Sequence, residues 1–204
     1  MISRFGESPC DTERALAVLA LQLTVRGVPF IYQGEELGMP SYCPQTVAQV
    51  FDIQGKTHYQ TALRKGADES EALALAIAHS RDASRAPLLW TDAANAGFSP
   101  VSPWMPVCAD YRQLNAQYQQ STPGALWRQY QTLIALRSAT SALREGDGSS
   151  LSLTNECVWF IRETVTERVW IAINFGSPVL NPWRDISADV LYGEDAQWLG
   201  KERS

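Results

Sequence analysis

Two adjacent carboxylates, Glu35 and Glu36, are candidates for acid–base chemistry. They lie in the segment GVPFIYQGEELGMP, residues 27–40. Glycoside cleavage uses two carboxyl groups several ångströms apart on opposite sides of the scissile bond. Neighbours on an extended strand point to opposite faces, so an adjacent pair is poorly placed for that role. We expect one glutamate to hydrogen-bond backbone or arginine groups at the end of a strand.

Two arginines, Arg81 and Arg85, are four residues apart in HSRDASRAPLLW, residues 79–90, with Asp82 between them. A guanidinium group can hold a carboxylate with two hydrogen bonds or donate to sugar hydroxyls. Arginine and aspartate side chains also brace long loops. Both interpretations stay open on the sequence alone.

A loop rich in glycine and proline follows, with Asn95, Phe98 and Trp104 in TDAANAGFSPVSPWMPV, residues 91–107. Aromatic faces here could stack on a sugar ring, although aromatic side chains more often pin such a loop to the protein.

The two histidines, His58 and His79, lack the neighbouring cysteine, aspartate or histidine residues of a metal site. No Gly-x-Ser-x-Gly motif and no glycine-rich phosphate loop occurs. The four cysteines are widely spaced without a Cys-x-x-Cys pair, so we expect reduced thiols. The sequence therefore predicts no metal site and no cofactor.

Composition limits the class of protein. The chain has 204 residues, of which 45% are hydrophobic and 19% charged, as in one large or two smaller globular domains. Its net charge of -5, with scattered basic residues, argues against a nucleic-acid or anionic-membrane partner. The N-terminus has no signal-peptide pattern, and the longest apolar stretch is too short to span a bilayer, which predicts a cytoplasmic location and no membrane segment.

The elements around the glutamates are predicted to be a helix and a buried strand. Ser8 and Pro9 favour a helix start, apolar residues repeat at helical spacing, and Gly27 favours a stop, which predicts a helix over 9–26. The apolar run VPFIY, residues 28–32, is typical of a buried strand. Helix, tight turn and strand in succession indicate an α/β layered or barrel domain.

Residues 41–121 show one clear helical pattern, DESEALALAIAHSRD at 68–82, in an otherwise irregular stretch. Such length is unusual unless the segment builds a functional rim. A second strong helix is predicted over 123–140.

The pattern changes near residue 143. The segment EGDGSS, residues 145–150, indicates a linker or turn, and two apolar runs at 156–163 and 168–175 predict an antiparallel hairpin. The tail has apolar groups for two or three further short strands.

Five segments together resemble the α-glucosidases of glycoside hydrolase family 13, near oligo-1,6-glucosidase and trehalose-6-phosphate hydrolase. In chain order they are SRFGE, GVPFIYQGEELGMP, SRDASRAPLLWTDAANAGFS, PWMPV and YQTLIALR. The resemblance covers nearly all of residues 2–175.

This resemblance implies an α/β fold made of the C-terminal portion of a (β/α)8 TIM barrel followed by a small antiparallel β domain. The domains would be 1–142, with the last barrel strand, helices and a long rim loop, and 143–204, the β domain. The segment VPFIYQGEE would be the eighth barrel strand, at whose C-terminal end active sites of such barrels lie.

The resemblance also assigns site residues. Arg81 matches an arginine that contacts the glucosyl unit in the innermost subsite, Arg85 is its neighbour, and Glu35 lies beside the site. The family's nucleophilic aspartate, acid/base glutamate and Asn-His-Asp motif all precede the SRFG segment, so no catalytic residue is assigned here. One departure is Leu89, which replaces the polar glutamine of the family's Thr-Pro-Met-Gln-Trp.

The expected function is that of a C-terminal fragment of a retaining α-glucosidase-type hydrolase acting on small α-glucosides or oligosaccharides, inactive alone. The alternative is a non-enzymatic carbohydrate-binding or complementing subunit, so enzyme activity stays open. Expected partners are the sugar and either the missing N-terminal barrel portion or a second copy of the chain. Linkage preference is not determined.

Overall fold

The computed structural model describes residues 12–154, 156–176, 188–193 and 197–202. The chain divides into two compact units. The sheet unit comprises residues 1–38 and 122–204, and the loop unit comprises residues 39–121. The domain boundary expected at 142 remains a prediction.

The described part of the sheet unit contains three α-helices: α1 (Thr12–Thr24), α5 (Leu126–Ala139) and α6 (Ser141–Arg144). The helices predicted over 9–26 and 123–140 are confirmed, although the start expected at Ser8 and Pro9 lies outside the described residues. The guanidinium of Arg137 on α5 donates to the carbonyls of Leu23 and Gly27, so one side chain satisfies backbone groups at the end of α1.

Five antiparallel strands form the sheet in the order β1-β2-β3-β5-β4. They are β1 (Asp147–Leu153), β2 (Cys157–Glu163), β3 (Arg168–Asn174), β4 (Ala188–Tyr192) and β5 (Gln197–Glu202). The predicted hairpin is β2–β3, and β4 and β5 match the strands expected in the tail. The linker or turn predicted at 145–150 is confirmed only for Glu145 and Gly146, and it is wrong for the next four residues, which begin the edge strand β1. Pairing with β2 outweighs the turn preference of Gly148 and the serines.

The main core lies between α1, α5, α6 and one face of the sheet, with Leu19, Leu133 and Ile171 among its fully buried members. Arg162 of β2 is also fully buried. Its Nε and Nη2 donate to the Gly146 carbonyl at 3.2 and 2.6 Å, and its Nη1 donates to the Thr24 carbonyl at 2.6 Å. Burial lowers the pKa of this guanidinium, with Arg137 and Arg26 acting in the same direction. Arg162 thereby ties α1 to the sheet.

The strand predicted at VPFIY is not present as a strand. Residues 28–32 have no ladder partner, and Val28 and Phe30 are 77% and 81% exposed. A barrel strand is stabilised by hydrogen bonds to neighbours on both sides, and the described residues offer it none. Pro29 also removes one backbone donor.

The loop unit contains three helices: α2 (Ile53–Arg64), α3 (Glu69–Ala78) and α4 (Ala116–Ser121). The predicted helical pattern corresponds to α3, which opens with a capping box between Asp68 and Glu71. The helices α2 and α4 were not predicted. The pattern of α2 is weak because Gly55 interrupts it and few of its residues are apolar.

Gly55 permits close contact between α2 and α3. A Cβ atom at this position would lie 2.9 Å from Val50 Cγ1 and 3.0 Å from the Ala76 carbonyl oxygen. Within the described part of the chain, no helix combines the length and apolar character needed to cross a bilayer.

Candidate functional site

The two adjacent glutamates lie in a 3₁₀ turn, Glu35–Leu37, rather than at the end of a strand. Gly34 and Gly38 flank the turn with φ of 95° and 69°, a left-handed conformation that glycine adopts readily. Glu35 Oε2 accepts from the Tyr32 amide at 3.2 Å, and Glu36 Oε2 accepts from the Gly34 amide at 2.8 Å. The interpretation that a glutamate bonds backbone groups here is confirmed.

This acidic turn acts electrostatically on α5 of the same unit. Burial raises the pKa of the Tyr130 hydroxyl, and the negative charges of Glu35 and Glu36 raise it further. Tyr130 therefore stays neutral at physiological pH and belongs to the core.

Asp52 of the loop unit is the centre of a buried ionic cluster. Its side chain is completely buried, and its Oδ2 accepts from Arg81 Nε at 2.9 Å and from Arg85 Nη1 at 3.1 Å. Its Oδ1 accepts from the Gln54 amide at 2.7 Å and so caps the N-terminus of α2. One carboxylate thus brings both predicted arginines together.

Asp82 supports this arrangement by binding backbone amides next to the Asp52 side chain. Its Oδ2 accepts from the amides of Phe51 and Asp52 at 2.7 and 2.9 Å. Ser80 Oγ accepts from the Asp82 amide at 3.0 Å, which orders the short turn Asp82–Ser84. Among the described atoms, Asp82 Oδ1 is buried and has no hydrogen-bond partner.

The guanidinium groups of Arg81 and Arg85 are held by Asp52, yet both side chains are partly exposed to solvent. Side-chain exposure is 59% for Arg81 and 38% for Arg85, whereas that of Asp52 is 0%. Burial by itself would raise the pKa of Asp52, but the hydrogen bonds from Arg81 and the Gln54 amide, with the charge of Arg81, bring it below its ordinary value. The carboxylate is therefore ionised at neutral pH, and each arginine retains donors beyond the one that Asp52 uses.

Aromatic side chains lie next to this cluster in the sequence and in the fold. Phe51 makes an edge-to-face contact with Trp104, with 5.3 Å between ring centroids, and Tyr42 lies 6.2 Å from Phe51. Trp104 is 64% exposed. Asn95 has a bracing role, because its amide donates to the carbonyls of Ser99 and Val101 at 3.0 Å each.

The structure thus brings Arg81 and Arg85 together in the loop unit, while Glu35 belongs to the sheet unit. Asp52 was not predicted as a site residue. Its signal is an aspartate directly before a helix, and it was weak because the pattern of α2 is weak.

The imidazoles of His58 and His79 stack on each other with centroids 3.9 Å apart. Among the described residues, no group of three or more His, Cys, Asp or Glu side chains is arranged to hold a metal ion. The absence of metal and cofactor remains a prediction.

A protein-family model described as alpha amylase, catalytic domain, matches residues 1–146. The chain belongs to the alpha-amylase family. The resemblance to glycoside hydrolase family 13 is confirmed, and with it the α/β fold class in its coarse form. The antiparallel sheet is consistent with a β domain that follows a partial barrel.

Among curated members of the alpha-amylase family, the chain is 32% identical over 178 residues to the glucan 1,6-alpha-glucosidase of Streptococcus pneumoniae, covering 87% of this chain and 33% of that protein. It is 30% identical over 185 residues to the trehalose-6-phosphate hydrolase of Escherichia coli, covering 90% of this chain and 34% of that protein. The chain therefore spans about a third of the curated relatives it matches.

Solved structures of similar proteins agree with the fold. The trehalose-6-phosphate hydrolase of Bacillus licheniformis superposes with a TM-score of 0.86 at 27% identity, covering all of this chain and 41% of that one. A MutB mutant in complex with glucose gives a TM-score of 0.86 at 30% identity, covering 98% of this chain and 40% of that one.

Proposed function

We propose that this chain forms the C-terminal part of a retaining α-glucosidase-type glycoside hydrolase acting on small α-glucosides or oligosaccharides, and that Arg81 and Arg85 contact the sugar. The observation that carries the proposal is the exposed but immobilised head of Arg81, held through Nε by buried Asp52. A fixed guanidinium with remaining N–H donors suits sugar hydroxyls. The names of the relatives and the glucose complex of MutB support the substrate class.

The catalytic nucleophile and acid/base residue would come from barrel segments that this chain does not supply. The adjacent carboxylates support this view, since Glu35 and Glu36 each accept a hydrogen bond from the backbone of their own turn. Glu35 remains a predicted substrate-binding residue. A cytoplasmic location likewise remains a prediction.

Residues 28–32 support the proposal that further barrel strands complete this fold. Their apolar side chains are exposed and their backbone has no ladder partner, as expected of a barrel strand without its neighbours. The same observation favours the second candidate function, a complementing or carbohydrate-binding subunit that docks on a separately made barrel portion. Alternatively, a second copy of the chain would cover residues 28–32.

The test is hydrolysis of p-nitrophenyl α-glucoside by the purified 204-residue chain, with and without a co-expressed barrel portion that carries the missing strands. We expect no hydrolysis alone and measurable hydrolysis on complementation. In the complemented enzyme, Arg81→Ala should lower kcat/KM by about tenfold or more, because a charge-assisted hydrogen bond to the sugar is lost.

Arg64→Ala is the matched control, since Arg64 is an exposed arginine at the end of α2 in the same unit. It should leave kcat/KM unchanged. Activity of the isolated chain would contradict the proposal and require a catalytic pair within it. Absence of hydrolysis in both preparations, together with sugar binding, would favour the carbohydrate-binding alternative.

A further inference from the structure

We infer that Asp52 is a positioning residue: it fixes Arg81 and Arg85 in one shared orientation and thereby sets how their guanidinium groups meet a ligand. The inference rests on the proposed function for the identity of that ligand, a sugar. The contacts of Asp52 carry the positioning role itself.

The hydrogen-bond pattern argues for orientation rather than simple charge neutralisation. Both guanidinium groups donate to one oxygen, Oδ2 of Asp52. Two cations held side by side repel each other unless a shared anion compensates them, and at low dielectric that repulsion is strong. Removing the negative charge of Asp52 should therefore move the two arginine heads apart.

Because Arg81 donates to Asp52 through Nε, its two terminal nitrogens stay available for a ligand. Asp52 engages its Nε, and the Nη1 and Nη2 groups at the end of the fork make no contact with Asp52. Because the side chain is 59% exposed, that end can donate to hydroxyl groups of a bound sugar. If Arg81 bound Asp52 through both terminal nitrogens instead, those donors would not be available to the sugar.

The rigidity of Asp52 comes from three further contacts. Its Oδ1 caps α2 through the Gln54 amide, so both carboxylate oxygens are occupied. The Asp82 carboxylate accepts from the amides of Phe51 and Asp52, which holds the backbone at the start of α2. A side chain fixed at both oxygens and at its own backbone can transmit one orientation to the arginines.

The variant Asp52→Asn separates positioning from folding. Asparagine caps helices as well as aspartate does, so the start of α2 should persist. The variant removes the charge, however, and places an amide where the arginines need an acceptor. Asp68→Asn is the matched control, because Asp68 caps α3 through the Glu71 amide and forms no ion pair with an arginine among the described residues.

The first readout is the ¹H–¹⁵N correlation of arginine Nε–H groups in the full 204-residue chain. We expect the Arg81 Nε–H of the unmodified protein to exchange slowly, and Asp52→Asn to accelerate its exchange by about ten- to a hundredfold, as befits loss of a charge-assisted hydrogen bond. Asp68→Asn should leave it unchanged. An Arg81 signal that is identical in the unmodified protein and Asp52→Asn overturns the inference.

The second readout is the dissociation constant of methyl α-glucoside for the same proteins, in the chain alone or complemented as above. We expect Asp52→Asn to weaken binding by about tenfold with Arg81 itself intact, and Asp68→Asn to have no effect. If the unmodified protein binds no sugar while Asp52→Asn still releases Arg81, the proposed function fails and the positioning role stands. Unchanged sugar affinity in Asp52→Asn overturns the inference.

A measurement on the unmodified protein covers the case in which Asp52→Asn does not fold. Acidification should shift the Arg81 Nε–H signal only below the ordinary aspartate value of about 3.9, because protonated Asp52 loses its charge. Among the described residues, Asp82, Arg81 and Arg85 are the charged groups that bond the side chain or the backbone amide of Asp52. A signal that shifts near neutral pH, or stays fixed until the chain unfolds, contradicts the role.

Discussion

At the level of single residues, the buried charges of Asp52 and Arg162 are satisfied in different ways. Asp52 is paired with two arginines, and Arg162 binds the carbonyls of Thr24 and Gly146. Burial of each charge costs desolvation free energy that its own hydrogen-bond partners offset, so removing a partner leaves the remaining buried group with that cost. Both residues therefore make sharp predictions.

Asp52 makes stability depend on acid pH. Its pKa is lower in the folded chain than in the unfolded chain, so it stabilises the fold at pH values above about 3.9. That contribution is lost as the pH falls from this value toward the lower folded pKa. Urea unfolding followed by tryptophan fluorescence from pH 7 to pH 3 should show this loss, and Asp52→Asn should flatten the dependence in the acid range. An equally steep profile in Asp52→Asn would contradict the assignment.

Arg162 should be more important for stability than its position on a β-strand suggests. Arg162→Met keeps the approximate volume but leaves the Thr24 and Gly146 carbonyls without a donor. We expect a loss of about 2–4 kcal/mol in the free energy of unfolding, measured with urea. Arg168→Met is the control, because Arg168 lies on the neighbouring strand with a partly exposed ion pair to Glu163, and it should cost about 1 kcal/mol or less.

At the level of elements, helix packing depends on positions that helix propensity does not reveal. Gly55 lowers the propensity of α2, and it is the residue that allows α2 to contact Val50 and the Ala76 carbonyl. Gly55 therefore lowers the helix propensity of α2 but permits close packing between α2 and α3.

Gly55→Ala tests this trade. Alanine is a better helix former by about 1 kcal/mol, but its Cβ would meet backbone and side-chain atoms at 2.9–3.0 Å. We expect the clash to win and the thermal midpoint to fall, with a net loss of about 1–2 kcal/mol. The control Gly148→Ala adds a Cβ where there is open space and should be close to neutral. A Gly55→Ala variant more stable than the original chain would refute the packing argument.

At the level of the whole molecule, the exposed segment 28–32 is the feature that most affects behaviour in solution. Its apolar side chains are exposed, and among the described residues it has no neighbouring strand, which favours pairing with a strand of another chain. We expect the chain alone to self-associate, with an unfolding transition that depends on protein concentration. A sharp, concentration-independent transition of a monomer would count against this.

Phe30→Asp should reduce that association. The side chain is 81% exposed, so its replacement should change the stability of the isolated chain by no more than about 0.5 kcal/mol. A charge within this exposed segment opposes its pairing with another strand, and sedimentation velocity should show a shift toward monomer. Val165→Asp replaces a fully exposed valine in the β2–β3 turn and should leave association unchanged. Equal effects of both variants would indicate general charge repulsion.

Sequence patterns predicted elements whose stability is largely local. The spacing of apolar residues in α1, α3 and α5, the acidic residues at the start of α3 and the β-branched runs of β2 and β3 were sufficient for correct prediction. Prediction failed at β1 and at residues 28–32, where the outcome depends on a pairing partner. Strand β1 gains one from β2 despite turn-forming residues, and residues 28–32 have none within the described chain.

The amino-acid sequence by itself determined the family, the arginine pair, three of the six described α-helices and most of the strands, because these depend on residue type and short-range spacing. Only the tertiary structure decided that Asp52, about thirty residues before the arginines, is their common acceptor, with Asp82 bracing it. Contacts over that separation depend on how α2 and α3 pack, and no local pattern encodes them. For the same reason, Arg162 is recognised as a core residue only once β2 faces α1.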